Sequence, residues 1–223
     1  MAKDPKTIKE QLDLLKSREM LFRDISKAPH FLANISYYRL KGYWWEMQED
    51  FEEHIFQKDV YFEDIIDLYN FDRHFRLIGF NAIERIEIAL RTKLIYHMSL
   101  SYGAKWYLDE KHFHSKYYFN EFIEKIKKDI EQSSEEFIVK HYENHPDEEP
   151  ESWKALEVIT LNTLSKLYSN INTQLPEKSK IANEFGLNSH KDLSSWLRTI
   201  TFIRNLIAHH SRLWNINVVE RSR

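Results

Sequence analysis

The residues best suited to chemistry in this chain lie close together near its C-terminus: Arg198, Arg204, Asn205, His209, His210 and Arg212. No acidic residue stands between Leu193 and Asn215, although the whole chain carries a formal charge of -3. The cluster is therefore local and does not follow from a basic composition. A guanidinium is permanently charged and grips phosphate oxygens as a fork. An imidazole titrating near neutrality can take or give a proton at physiological pH. Together they suit RNA cleavage in which the 2′-hydroxyl attacks its own phosphate, a reaction that needs no metal. The plainer alternative is structural, because a helix C-terminus favours histidine and arginines often pair with carboxylates elsewhere in a bundle.

These groups sit on a segment with helical period. Leu193, Trp196, Leu197, Ile200, Ile203 and Ile207 recur at three-to-four spacing, which commits one face to a core. Ser189 is the expected cap. Arg204 and His209 are five residues apart, about 500° of rotation, so a straight helix offsets them by roughly 140°. Asn205 and His209 share a face, whereas the residue stacked over Arg204 is Ala208. A helix end, or a second chain, is needed to bring Arg204 and His209 to one point.

The elements that must position this segment read as helices throughout. Thr7 is expected to cap a first helix, and His30 to Ser36 opens another. There follows an aromatic-basic block of Tyr37, Tyr38, Arg39, Lys41, Tyr43, Trp44 and Trp45, suited either to stacking on bases or to packing. Trp44 and Trp45 are assigned to packing, Arg39 and Lys41 to a functional surface. The charged stretch 49–59 reads as a loop. From Val60 to about Leu100 the pattern predicts one long helix or a helical pair, with Ile65, Ile66, Leu68, Leu77, Ile78, Ile83, Ile86, Leu90 and Leu94 as its apolar positions. Arg85, Glu87 and Arg91 lie within it; a buried Glu87 requires a partner. Tyr102-Gly103 ends that unit. His112 and His114 read as solvent-facing loop histidines. Residues 118–143 are expected to form a charged helix and 145–151 an acidic loop. Ser152 is expected to cap a helix running to about Tyr168, and Pro176 to open a short helix closed by Gly186. No segment has convincing strand alternation.

Composition narrows the classes. With 223 residues the chain can bury a substantial core as one large domain or two small ones. Only 4 Gly and 5 Pro argue against a turn-rich all-β architecture. Cysteine is absent, so disulfides, thiolate zinc sites and a cysteine nucleophile are excluded. No apolar run is long enough to span a membrane and no signal sequence is apparent, so a cytoplasmic protein is expected. The near-neutral charge argues against coating nucleic acid through bulk charge.

Arg204-Asn205 followed three residues later by His209 resembles the signature of HEPN-superfamily ribonucleases. The longer string from Ser195 to Asn215 resembles the C-terminal signature of the Abi-like (AbiD/AbiF) abortive-infection family. Three further stretches are similar to that family: Ile35 to Trp44, Ile83 to Thr92, and Leu161 to Tyr168 followed by Ile181 to Gly186. The resemblance covers nearly the whole chain. It implies an all-α, HEPN-like helical bundle over 57–223 with an N-terminal helical extension over 1–56. It also implies a homodimer in which each chain supplies Arg204 and His209 to a metal-independent, cofactor-free endoribonuclease with a toxin-like, anti-phage role. Arg204, Asn205, His209 and His210 are then the catalytic candidates. Tyr37, Tyr38, Arg39, Lys41, Arg85, Arg91 and Arg212 are the candidate RNA contacts. The alternative is an RNA-binding module that holds a small noncoding RNA, its catalytic site silenced or absent.

Overall fold

Apolar residues at helical spacing become ten α-helices among residues 4–217, the part of the chain that the computed structural model describes. The helices are α1 (Ile8–Ser17), α2 (Ala28–Ile35), α3 (Tyr37–Trp44), α4 (Phe62–Tyr102), α5 (Lys116–Glu131), α6 (Glu136–Asn144), α7 (Ser152–Ala155), α8 (Leu161–Asn170), α9 (Pro176–Glu184) and α10 (His190–Ala208). The fold is all-α apart from one hairpin. Among the described residues no helix is long and apolar enough to cross a membrane.

Of the described residues, 4–79 with 209–217 form one compact unit and 80–208 the other. In the first unit, Leu15, Leu32, Leu40, Trp44, Phe56, Phe62 and Ile65 are buried together. Its α1 opens with a capping box: the Glu10 N–H donates to the Thr7 hydroxyl at 3.2 Å, and the Thr7 N–H donates to the Glu10 carboxylate at 2.7 Å. Ser36, at φ 73°, breaks the chain sharply between α2 and α3, and its hydroxyl accepts from the Arg39 N–H.

The stretch read as a loop at 49–59 instead contains a short antiparallel hairpin, β1 (Gln48–Asp50) with β2 (Ile55–Phe56). Strands of three and two residues are too short to show alternation, which is why the sequence concealed them. The Asp50 carboxylate accepts from the N–H groups of Glu52 and Glu53 and so organises the turn.

The helix α4 is continuous over 41 residues, beginning in the first unit and continuing into the second. Ile65, Ile66, Ile83, Leu90 and Leu94 are buried as expected, but Leu77 and Ile78 are exposed. They lie in a stretch, 73–85, where α4 presents most of its circumference to solvent.

In the second unit, Leu90, Leu94 and Met98 of α4 pack with Phe122 and Ile126 of α5, Leu164 and Leu167 of α8, Ile181 of α9, and Leu193 and Leu197 of α10. Gly103, at φ 88°, turns the chain out of α4. Residues 118–143 divide into α5 and α6. The single helix expected from Ser152 to Tyr168 is also two helices. Val158, Ile159 and Thr160 form a β-branched run that is poor helix material, and Thr160 caps α8 by accepting from the Thr163 N–H. Pro176 opens α9, and beyond its end Gly186 takes φ 74°. The Ser189 hydroxyl accepts from the Lys191 N–H at the start of α10.

Candidate functional site

The motif helix α10 buries Leu193, Leu197 and Ile207, so its core face is largely as the period implies. Trp196 departs from that pattern at 59% exposed, while Ile200 and Ile203 are half-buried. Small polar residues, Ser194 and Thr201, take buried positions instead.

Arg204 and Asn205, adjacent on α10, face different hollows of the second unit. Arg204 lines a cleft of about 270 Å³ with Phe80, Glu84, Glu87, Arg91 and Glu157. Three carboxylates share that cleft, yet among the described residues Arg204 makes no ion pair or hydrogen bond. The acids are partly engaged elsewhere: Glu87 accepts from Arg91 Nη2 at 2.8 Å, and Glu157 lies 3.8 Å from Arg91 Nε. Asn205 lines a larger cavity of about 830 Å³ and makes no hydrogen bond to a described residue.

The helix stops at Ala208. His209 and His210 form a turn, with His210 in the left-handed region at φ 54°. The helix therefore ends between Arg204 and His209. Both imidazoles are exposed, and among the described residues neither has a side-chain partner.

Beyond this turn, residues 210–215 are fastened within the first unit by a dense polar network. Arg39 Nη1 donates to the His210 carbonyl at 2.6 Å, and Arg76 Nη1 donates to that of Ser211 at 3.3 Å. Arg212 donates to the Gly42 carbonyl, and Asn215 Nδ2 donates to Glu46 at 2.6 Å. Asp72, wholly buried on α4, accepts from the N–H groups of Leu213 at 3.1 Å and Trp214 at 2.6 Å. Its charge is met by Arg76 one turn on, and the Tyr43 hydroxyl donates to it at 2.7 Å. Burial, reinforced by that carboxylate, pushes the Tyr43 hydroxyl up to about 12.

The sequence reading named Tyr43 only within the aromatic-basic block and overlooked Asp72 and Arg76, whose only local signal was a pair of opposite charges four residues apart on α4.

The expected RNA contacts divide. Tyr38 is 84% exposed and Arg85 is exposed without a partner among the described residues. Lys41 lies 4.9 Å over the Trp45 ring, and Trp45 is itself 43% exposed rather than packed away. Tyr37 is half-buried, edge-on to Trp44, and its hydroxyl accepts from Arg18 at 2.7 Å. Arg39 and Arg212 are tied to backbone carbonyls. Arg91 is 7% exposed, and its guanidinium donates to the carbonyls of Leu156 and Ile159 as well as to Glu87. It is a strut between α4 and the α7–α8 connection and is not presented to RNA.

Of the two histidines read as solvent-facing, His114 is exposed and His112 is not. His112 is buried, with Nδ1 2.9 Å from the Trp106 carbonyl, because the turn after Gly103 folds it onto Tyr102. The acidic 145–151 segment is likewise anchored: Tyr107 donates to the Pro150 carbonyl, and Glu148 pairs with Lys105.

Among known proteins, a family model described as Abi-like protein matches residues 30–215. No curated protein and no solved structure matches the chain.

Proposed function

The chain belongs to the Abi-like protein family, and we propose that it is an abortive-infection, anti-phage protein acting as a metal-independent HEPN endoribonuclease. The observation that carries this reading is the state of Arg204 and His209. A strut arginine would be buried against a carboxylate, and a core histidine would be buried and hydrogen-bonded. Instead Arg204 is half-buried in a cleft and His209 is exposed, and among the described residues neither has an ion-pair partner.

In this reading His209 removes the proton from a ribose 2′-hydroxyl, or delivers one to the departing 5′-oxygen. The 2′-oxygen bonds to phosphorus as the bond to the 5′-oxygen breaks. Arg204 stabilises the charge gathered on the equatorial phosphate oxygens. The products are a 2′,3′-cyclic phosphate and a 5′-hydroxyl. Two chains, each contributing Arg204 and His209, make up the working enzyme. A second reading, a module that holds a small RNA with its catalytic site silenced, is favoured by the bare ring of Tyr38 and the bare cation of Arg85.

The decisive experiment incubates wild type, Arg204→Ala and His209→Ala with total RNA, tRNA and single-stranded DNA in buffer containing EDTA. Wild type alone is expected to cut RNA, leaving cyclic-phosphate ends and sparing DNA. Equal inertness of all three proteins, with RNA co-purifying, would instead favour the binding module. Equal cutting by all three would remove Arg204 and His209 from the chemistry.

A further inference from the structure

Asn205 opens onto a cavity of about 830 Å³ in the second unit, between α5, α8 and α10. Its volume falls in the range of small-molecule sites, and its lining is unusual for a chain of net charge -3. Three cations, Lys125, Lys166 and Arg198, face one acid, Glu121.

Two of those cations are in ion pairs. Lys125, 48% exposed, pairs at 2.5 Å with Asp129, whose side chain is only 10% exposed, and Lys166 pairs with Glu121 at 3.0 Å, at 62% and 49% exposure. An exposed pair such as Lys166–Glu121 is weak and is readily exchanged for a phosphate. Aromatic surface is present as well: Tyr118 is 59% exposed and Phe202 45%.

Two carboxamides complete the set. Asn162 and Asn205 are exposed, and among the described residues neither side chain has a hydrogen-bond partner, so each offers both a donor and an acceptor. Thr201, 7% exposed, also lines the cavity, and its hydroxyl has no partner among the described residues.

We propose that this cavity is a receptor for a single unpaired nucleotide, with its base stacked on Tyr118 or Phe202, its edge read by Asn162 and Asn205, and its phosphate held by Lys166, Lys125 and Arg198. Each part of a nucleotide meets matching chemistry in the lining. An aromatic face takes any base, a carboxamide distinguishes donor from acceptor on the base edge, and lysine or arginine takes the phosphate. A base inside a duplex cannot reach such a site, so single strands and loops are selected over helices. As a substrate subsite this deepens the ribonuclease reading and rests on it, since Asn205 belongs both to the cavity and to the catalytic candidates. A free nucleotide presents the same chemistry.

The test uses the full chain carrying His209→Ala, so that binding is read without cleavage. Fluorescence anisotropy follows labelled single-stranded octaribonucleotides and a blunt RNA duplex, with nucleoside 5′-monophosphates as competitors. Single strands are expected to bind at least about 10-fold more tightly than duplex. Tyr118→Ala and Asn162→Ala, both at exposed positions, are each expected to weaken binding about 10-fold with an unchanged melting temperature. Competition by mononucleotides would identify a free nucleotide as occupant, and competition by oligomers alone would identify RNA. The proposal is overturned if both variants bind like their parent, or if neither RNA nor mononucleotide binds. Persistent cutting of total RNA by wild type would confine that failure to the cavity. Absent cutting would count against the ribonuclease reading, while the mononucleotide arm would still decide the cavity.

Discussion

Asp72 accepts a hydrogen bond from the backbone N–H of Trp214 at 2.6 Å, joining α4 to the segment beyond the motif histidines. The same carboxylate takes the Leu213 N–H and balances Arg76. Removing it leaves a buried guanidinium without its counter-charge, a change that typically costs about 3–5 kcal/mol. Asp72→Ala is therefore expected to lower stability by about that amount and to abolish hydrogen-exchange protection at Leu213 and Trp214. RNA cleavage should fall with it, although Arg204 and His209 are untouched. Full protection of both amides in the variant would show that the segment is held by something else.

Arg91 supplies a second test, because its guanidinium donates to two carbonyls of the connection between α7 and α8. Arg91→Ala strands those carbonyls and frees Glu87, for an expected loss of about 3–5 kcal/mol. Arg91→Lys recovers only part of this, since one ammonium cannot reproduce the fork. RNA affinity per folded molecule should be unchanged in Arg91→Lys. A selective loss of affinity at unchanged stability would return Arg91 to the RNA-binding set.

These two residues mark the boundary of what was legible. Helix positions and caps at Thr7, Pro176 and Ser189 could be read because period and capping act within a few residues. The buried partners could not. Asp72 and Trp214 are 142 positions apart, and nothing in the local pattern of either announces the other. The α7–α8 break escaped for a different reason: helical spacing continued across it, and the run Val158, Ile159, Thr160 that opposes a helix is short. Trp196 misled because an apolar period marks a helix face without saying whether this chain covers it. The site residues were visible as types, but their partnerships, which separate Arg204 from Arg91, depend on the fold.

Adjacent tyrosines make that distinction measurable. Tyr38 is bare, so Tyr38→Ala should change stability by no more than about 0.5 kcal/mol and weaken RNA binding about 5- to 10-fold. Tyr37 packs edge-on against Trp44 with ring centroids 5.1 Å apart and accepts from Arg18. Tyr37→Ala should therefore lower the melting temperature by several degrees, and any loss of RNA binding should be recovered at a temperature where the variant is folded. Thermal melts alongside anisotropy at two temperatures would separate the two behaviours. Equal effects of both substitutions on melting would refute the division.

Lys178 gives a pH dependence whose sign is fixed. It is 2% exposed, with Nζ donating to the carbonyls of Ser169 at 2.9 Å and Ile171 at 2.6 Å, and burial pushes its ammonium down to about 8. Below pH 8 both folded and unfolded chains hold the proton, so the full cost of burying the charge is present. Between about 8 and the ordinary lysine value of 10.5, the native state releases the proton while the unfolded chain keeps it. Stability then rises with pH across that window, by about 3 kcal/mol from this group. Lys178→Met cannot titrate, so the difference in unfolding free energy between wild type and variant should move in favour of wild type from pH 8 to 10.5. It should be flat below pH 7. Chemical denaturation at half-unit steps would resolve the slope, and a difference that stays flat to pH 10 would mean that the two carbonyls hold Lys178 charged despite its burial.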